Sequence, residues 1–174
     1  IGWKDRFSHP QHDARQRKLA KMNNSSEVYT PQFIMNGKDF RRHGSFDNEI
    51  VRINSIAAEY QLELSASLNA DAIDVVLDTR RPIDNKDKAA VFIALYEHGL
   101  SSEVSAGENK GEQLHHDYVV RDLKGPFLID QYQSVYKASF ARSDYKIENC
   151  GIVAFIQKPK SSEVLQALRL ELKQ

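Results

Sequence analysis

The sequence predicts an α+β chain in two parts, a helix–hairpin–helix segment over residues 1–60 and an antiparallel β-sandwich over residues 61–174. Three observations predict it. Phe46, Ile50, Ile53, Ile56 and Ala57 recur at spacings of three and four, which places them on one face of a helix. Phe33-Ile34-Met35 is an apolar run too short for a helix, and Asn36-Gly37 behind it suits the two positive-φ positions of a type I′ hairpin turn. From residue 61 onward the rhythm changes to period two: Leu62, Leu64, Ala66 and Leu68 alternate with polar residues, as in a strand with one buried face.

Taken along the chain, residues 11–22 read as a helix, and the basic stretch within it, residues 15–21 with Asp13 nearby, reads as a solvated face. Pro31 fixes its own φ and pushes Thr30 to an extended conformation, so the pair suits a turn or the start of an edge strand and does not suit a helix. Residues 38–42 would return as the second strand of the hairpin, and Asp47 is placed to cap the helix that follows. Further strands are expected at 73–77 after a turn at 69–71, at 90–96 after a charged turn at 84–88, and at 102–105, 116–123, 133–140, 151–156 and 164–170. Seven or eight strands at short intervals argue a sandwich of the immunoglobulin-like kind. Paired cysteines with their tryptophan, the mark of true immunoglobulin domains, are absent, and the topology stays open.

Composition excludes several classes of partner. Lys plus Arg and Asp plus Glu number 24 each in 174 residues, so the net charge is zero and no general attraction to nucleic acid or an anionic membrane is expected. No run of about eighteen apolar residues is present, so no membrane span is expected. The length suffices to bury roughly 70% of the unfolded surface.

Candidate chemistry is sparse. In His115-His116-Asp117, neighbours in a strand point to opposite faces, so only His115 shares a face with Asp117; a cross-strand hydrogen-bonded histidine is favoured over a metal site. His9 and His12 are three apart, but Pro10 sits in a turn and nothing nearby completes a ligand set. Gly107-Glu108-Asn109-Lys110-Gly111 lacks the Gly-Lys-Ser/Thr ending of a phosphate cradle and reads as a long hairpin turn. Cys150, the single cysteine, precedes an apolar strand and reads as a small packed hydrophobe. No catalytic residue, metal or cofactor is assigned.

The order of the motifs carries a resemblance. Gly2-Trp3-Lys4-Asp5, the Ser8-His9-Pro10 turn, Arg15-Gln16-Arg17, Val28-Tyr29-Thr30-Pro31-Gln32 and Asn36-Gly37 come first, and Gly107 to Gly111 with Leu114-His115-His116-Asp117-Tyr118 follow. Together they resemble a secreted bacterial thioredoxin-like family of unknown function, the domain of unknown function 1223. The resemblance implies that residues 1–60 are a truncated thioredoxin-like α/β unit with a cis Thr30-Pro31 bond, and that Tyr29, Thr30 and Pro31 present a loop to an extended polypeptide. It marks Glu108, Asn109, His115 and Asp117 as a functional turn and strand, and it implies a periplasmic or secreted location. Members of that family carry Cys-x-x-Cys ahead of Gly-Trp-Lys-Asp, whereas this sequence opens at Ile1 on that segment, so a fragment is expected, with an exposed sheet edge that invites self-association. Two functions follow: thiol–disulfide exchange in a longer protein but not in these residues, or a non-catalytic envelope module that binds through the sandwich.

Overall fold

Seven of the nine described strands that follow residue 60 build the core, and their sequence shows why. The computed structural model describes residues 3–25, 27–58, 60–80, 88–143 and 145–172, with the backbone alone for His43. Strands β3 (Glu63–Leu68), β4 (Ala72–Asp78) and β9 (Val135–Ala141) pair in the order β3-β4-β9. Strands β5 (Ala90–Glu97), β8 (Val119–Leu128), β10 (Cys150–Gln157) and β11 (Val164–Glu171) pair in the order β11-β10-β5-β8. A separate hairpin joins β6 (Leu100–Glu103) to β7 (Gln113–His116). All the described pairings are antiparallel.

Alternation in β4 turns Ile73, Val75 and Leu77 inward, where they meet Tyr136 and Phe140 of β9 and Val91, Ile93, Leu95, Ile152, Ala154 and Ile156 of the four-stranded sheet. Strand β5 is apolar without alternation because both its faces are covered. Val91, Ile93 and Leu95 face the core, and Phe92 on the other face lies under helix α1 (Pro10–Met22). The remaining elements are a hairpin of β1 (Phe33–Met35) and β2 (Lys38–Phe40), a single 3-10 turn at His43–Ser45, and helix α2 (Phe46–Asn54).

The architecture corrects the expectation of a truncated thioredoxin-like α/β unit. The chain is mostly antiparallel sheet, about 43% strand and 17% helix. An α/β unit needs parallel strands joined by crossover helices. Here β1 and β2 are three residues each and, among the described strands, pair with one another alone, as a two-stranded sheet of their own. A proline loop followed by Asn-Gly specifies a hairpin locally, and it does not specify the sheet that the hairpin joins.

Smaller differences have local causes. Asn36 and Gly37 take the expected positive φ, and Thr30-Pro31 is cis, as is Gly125-Pro126. Pro10 opens α1 as its first helical residue, which suits its missing N–H, and the His9 ring accepts from the Gln11 N–H at 3.2 Å. Asp47 lies in the first turn of α2 and Ser45 takes the cap position. The strand expected over 116–123 is broken at Tyr118, whose φ of +57° turns the chain between β7 and β8. Most of the charged turn expected at 84–88 lies outside the described residues.

Candidate functional site

The hairpin β1–β2 is seated by two asparagines. Asn23, at the end of α1, accepts from the Asp39 N–H at 3.2 Å and donates to the Gly37 carbonyl at 2.9 Å. Asn36 accepts from the Val164 N–H of β11 at 2.8 Å. Gly37 is required for this seat: its φ is +78°, and a Cβ there would collide with the Ser162 carbonyl. Phe46 packs edge-on against both Phe33 and Phe40, at 5.6 and 6.0 Å between ring centres, which ties α2 to the hairpin.

Beside Thr30 and Pro31, both exposed, a polar network closes around Asp39. The Tyr29 hydroxyl donates to Asp39 Oδ1 at 2.7 Å, Arg41 Nε donates to Asp39 Oδ2 at 2.8 Å, and the Arg41 guanidinium lies 4.9 Å over the Tyr29 ring. The hydrogen bond to Asp39 holds the Tyr29 hydroxyl above its usual range, and the same bond is the main reason the Asp39 carboxyl lies below the carboxylate range. The network is a charge-stabilised clamp with no nucleophile in it.

Among the described residues, β2 is the one strand that pairs with β1. Because the Asp39 N–H points outward to Asn23, Asp39 occupies a non-hydrogen-bonded position of the ladder, and its cross-strand partner Ile34 does too. Ile34 therefore turns its N–H and C=O away from β2, along the free side of β1. Phe33 on the hairpin and Ile50 and Val51 on α2 expose apolar surface, as do Val28 before the hairpin and Ile56 after α2.

The second group of predicted residues is not brought together. Glu108 and Asn109 are exposed in the β6–β7 loop, which closes on its own backbone through Gly111 N–H to Val104 at 2.9 Å and Glu112 N–H to Asn109 at 3.1 Å. His115 is exposed, while His116 faces inward, 2.7 Å from the Ser102 hydroxyl and edge-on to Phe7. No described contact joins Glu108, Asn109 or His115 to Asp117. Asp117 instead accepts from the Gly99 N–H at 3.1 Å and stands 3.9 Å from His98 Nδ1.

His98 belongs to a cluster that the sequence reading missed. Its ring packs edge-on against Tyr118 at 4.2 Å and Tyr96 at 5.1 Å, and Arg169 Nη1 donates to the Tyr118 hydroxyl at 3.4 Å. Burial, and then the hydrogen bond to Glu171, push the Tyr96 hydroxyl up to about 12. Gly151 faces Tyr96 in the ladder, and a Cβ there would collide with the ring. The available signal was the outward period-two position of Tyr96 in β5, opposite a glycine.

Two further residues are placed differently from their neighbours in sequence. Arg15 is not part of a solvated face: its guanidinium lies over Phe92 and Phe155, at 4.8 and 5.5 Å, and donates to Gln157 Oε1 at 2.8 Å. Cys150 is fully buried and its thiol donates to the Lys146 carbonyl at 3.3 Å. Burial, with the nearby Glu97 charge second, pushes that thiol up to about 12, far from a reactive thiolate. Glu97 itself is buried and paired with Arg121 at 2.9 Å. Among the described residues no group of three metal-ligating side chains converges, and no described helix is long and apolar enough to cross a membrane.

Comparison with known proteins places the chain. The model of the family described as Protein of unknown function (DUF1223) matches residues 1–157, and the chain belongs to that family. Among solved structures, protein AGR_C_4864 from Agrobacterium tumefaciens is similar at a TM-score of 0.64 and 17% identity, over 100% of this chain and 76% of that one. HBP35 of Porphyromonas gingivalis is similar at a TM-score of 0.70 and 11% identity, over 98% of this chain and 61% of that one. At such identities these likenesses show the fold alone. A comparison with curated proteins returns no match.

Proposed function

We propose that this member of the DUF1223 family is a non-catalytic binding module that takes an extended polypeptide along β1, beside Tyr29, Thr30 and Pro31, with the β-sandwich as the scaffold that holds the hairpin. The observation that carries this reading is the open side of β1, where Ile34 directs its N–H and C=O outward next to the exposed Phe33. A strand edge of this kind accepts another strand through main-chain hydrogen bonds, and adjacent apolar side chains take alternate residues of the guest. The Asp39 clamp keeps the loop in place, and Asn23 closes the opposite edge, so one side alone is offered. Thiol–disulfide exchange finds no support in these residues, because Cys150 is the single cysteine and is buried. An envelope or secreted location accompanies the reading through the family resemblance, and cell fractionation checks it.

The test uses a reduced, carboxymethylated unfolded polypeptide as the probe, measured by fluorescence anisotropy. Ile34→Pro removes the outward N–H without breaking the β1–β2 ladder, and it should weaken binding tenfold or more. Phe33→Ser should weaken it by a smaller factor. Equal binding by the Ile34→Pro chain would show that β1 is not the docking edge.

A further inference from the structure

We propose that the cleft between α1 and the outer face of β5 binds a small organic anion with an apolar tail, an alkyl carboxylate, its head group on Arg15 and Lys18 and its chain against Phe92, Pro126 and Leu128. The site is separate from the β1 edge, and it stands or falls independently of polypeptide binding there.

The first observation is the position of Arg15. Gln11, Arg15, Leu19 and Met22 follow one another at helical spacing along the side of α1 that meets the sheet: Gln11 donates to the Leu123 carbonyl at 3.0 Å and Met22 Sδ accepts from the Ser162 hydroxyl at 3.3 Å. A helix lying on a sheet ordinarily places an apolar residue at the centre of that row. Here a guanidinium occupies it, stacked on the paired rings of Phe92 and Phe155, which are themselves 5.2 Å apart.

The second observation is how that guanidinium is held. Gln157, 7% exposed, is locked by its own donation to the Ser162 carbonyl at 2.7 Å, and its Oε1 fixes one end of Arg15. That contact uses one of five N–H donors. Among the described residues no carboxylate pairs with Arg15. Arg15 is half-buried, and its described neighbours are an amide and two rings, with no opposite charge beside the guanidinium.

The third observation is the cleft itself. It encloses about 80 Å³ and its charged lining residues are Arg15, Lys18 and Lys158, with no acidic side chain among them. Lys158 already pairs with Glu163 at 3.1 Å, whereas no described carboxylate pairs with Arg15 or Lys18. The volume holds roughly five water-sized groups, enough for a carboxylate and its first carbons. Beyond that depth Leu128, 73% exposed, continues the apolar wall to the rim. Arg presents a planar fork that matches a carboxylate at two points, and a partly dehydrated site strengthens such a bond.

The experiment is an isothermal titration of the full chain with octanoate, with octylammonium and inorganic phosphate as comparison probes. One saturable octanoate site is expected, with no response to octylammonium and phosphate binding at least tenfold weaker. Arg15→Met, which keeps the packing on the two rings, should weaken octanoate at least tenfold, and Lys18→Gln by a smaller factor. Leu128→Asp places a like charge at the rim on an exposed position and should weaken octanoate at least tenfold with an unchanged circular dichroism spectrum. The proposal is overturned by an absence of saturable octanoate binding, by equal binding of octylammonium, or by phosphate binding as tightly as octanoate. Should Arg15→Met fail to fold, unchanged octanoate binding by Leu128→Asp overturns it equally.

Discussion

Strand β5 has seven of its eight residues buried, whereas helix α2 has none. That contrast separates the sandwich from the segment before it. The sandwich closes on its own apolar side chains, drawn from β4, β5, β9 and β10. The residues before 60 also reach the later strands through polar side chains: Trp3 Nε1 to the Glu103 carbonyl at 3.0 Å, Gln11 to Leu123, Arg15 to Gln157 and Asn36 to Val164. Hydrophobic burial stabilises in proportion to area and in any arrangement that removes water, while these hydrogen bonds exist only once both partners are in place. We expect the strands after residue 60 to act as a frame on which the hairpin and helices dock.

The largest test of this contrast is Phe140→Ala. Phe140 is 1% exposed, and its truncation should cost about 3–5 kcal/mol by urea denaturation. Val51→Ala on α2, at 68% exposed, should stay within about 0.5 kcal/mol. Comparable costs at the two positions would dissolve the distinction. A middle-sized effect is expected from Gly37→Ala, where positive φ and the collision with the Ser162 carbonyl lift the hairpin from its seat. We expect a loss of about 1–3 kcal/mol of local stability. Limited proteolysis should then cut within residues 27–58 first and leave 61–172 intact, whereas uniform cutting along the chain would argue against two parts with a boundary near residue 60.

The smallest effect concerns alkaline pH. Cys150 is raised from 9.0 to about 12 and Tyr96 from 10.0 to about 12, so both stay protonated in the folded chain at pH values where the unfolded chain releases them. Their contribution is whole below pH 9 and is lost as pH rises through the window from about 9 to about 12. Thermal melts across that window should show a falling melting temperature, and Cys150→Ser, which keeps a donor for the Lys146 carbonyl, should flatten the slope. An unchanged slope would mean that Cys150 reaches solvent in the folded state.

Much of the strand order was legible in the sequence, because period-two alternation is a property of neighbouring residues. The strands expected at 73–77, 90–96, 151–156 and 164–170 fall within β4, β5, β10 and β11, and the one expected at 133–140 overlaps β9 from Val135. The turn at Asn69 was equally local: its side chain accepts from the N–H groups of Asp71 and Ala72. The hairpin after Pro31 was legible for the same reason. What that hairpin joins was not, and reading a thioredoxin-like sheet into it failed because strand pairing is a long-range choice.

The sequence by itself determined where this chain runs as strand, where it turns on Asn-Gly, and that a single cysteine without a partner cannot form a dithiol. These depend on spacing, on backbone sterics and on counting. The tertiary structure alone decided that Arg15 stacks half-buried on two rings while Lys18 lines a cleft, that Asp117 serves Gly99 and His98 and not His115, and that Ile34 pairs with Asp39. Each of these depends on which face of an element another element covers, and covering is set by the closure of two sheets whose partners lie far apart in the chain.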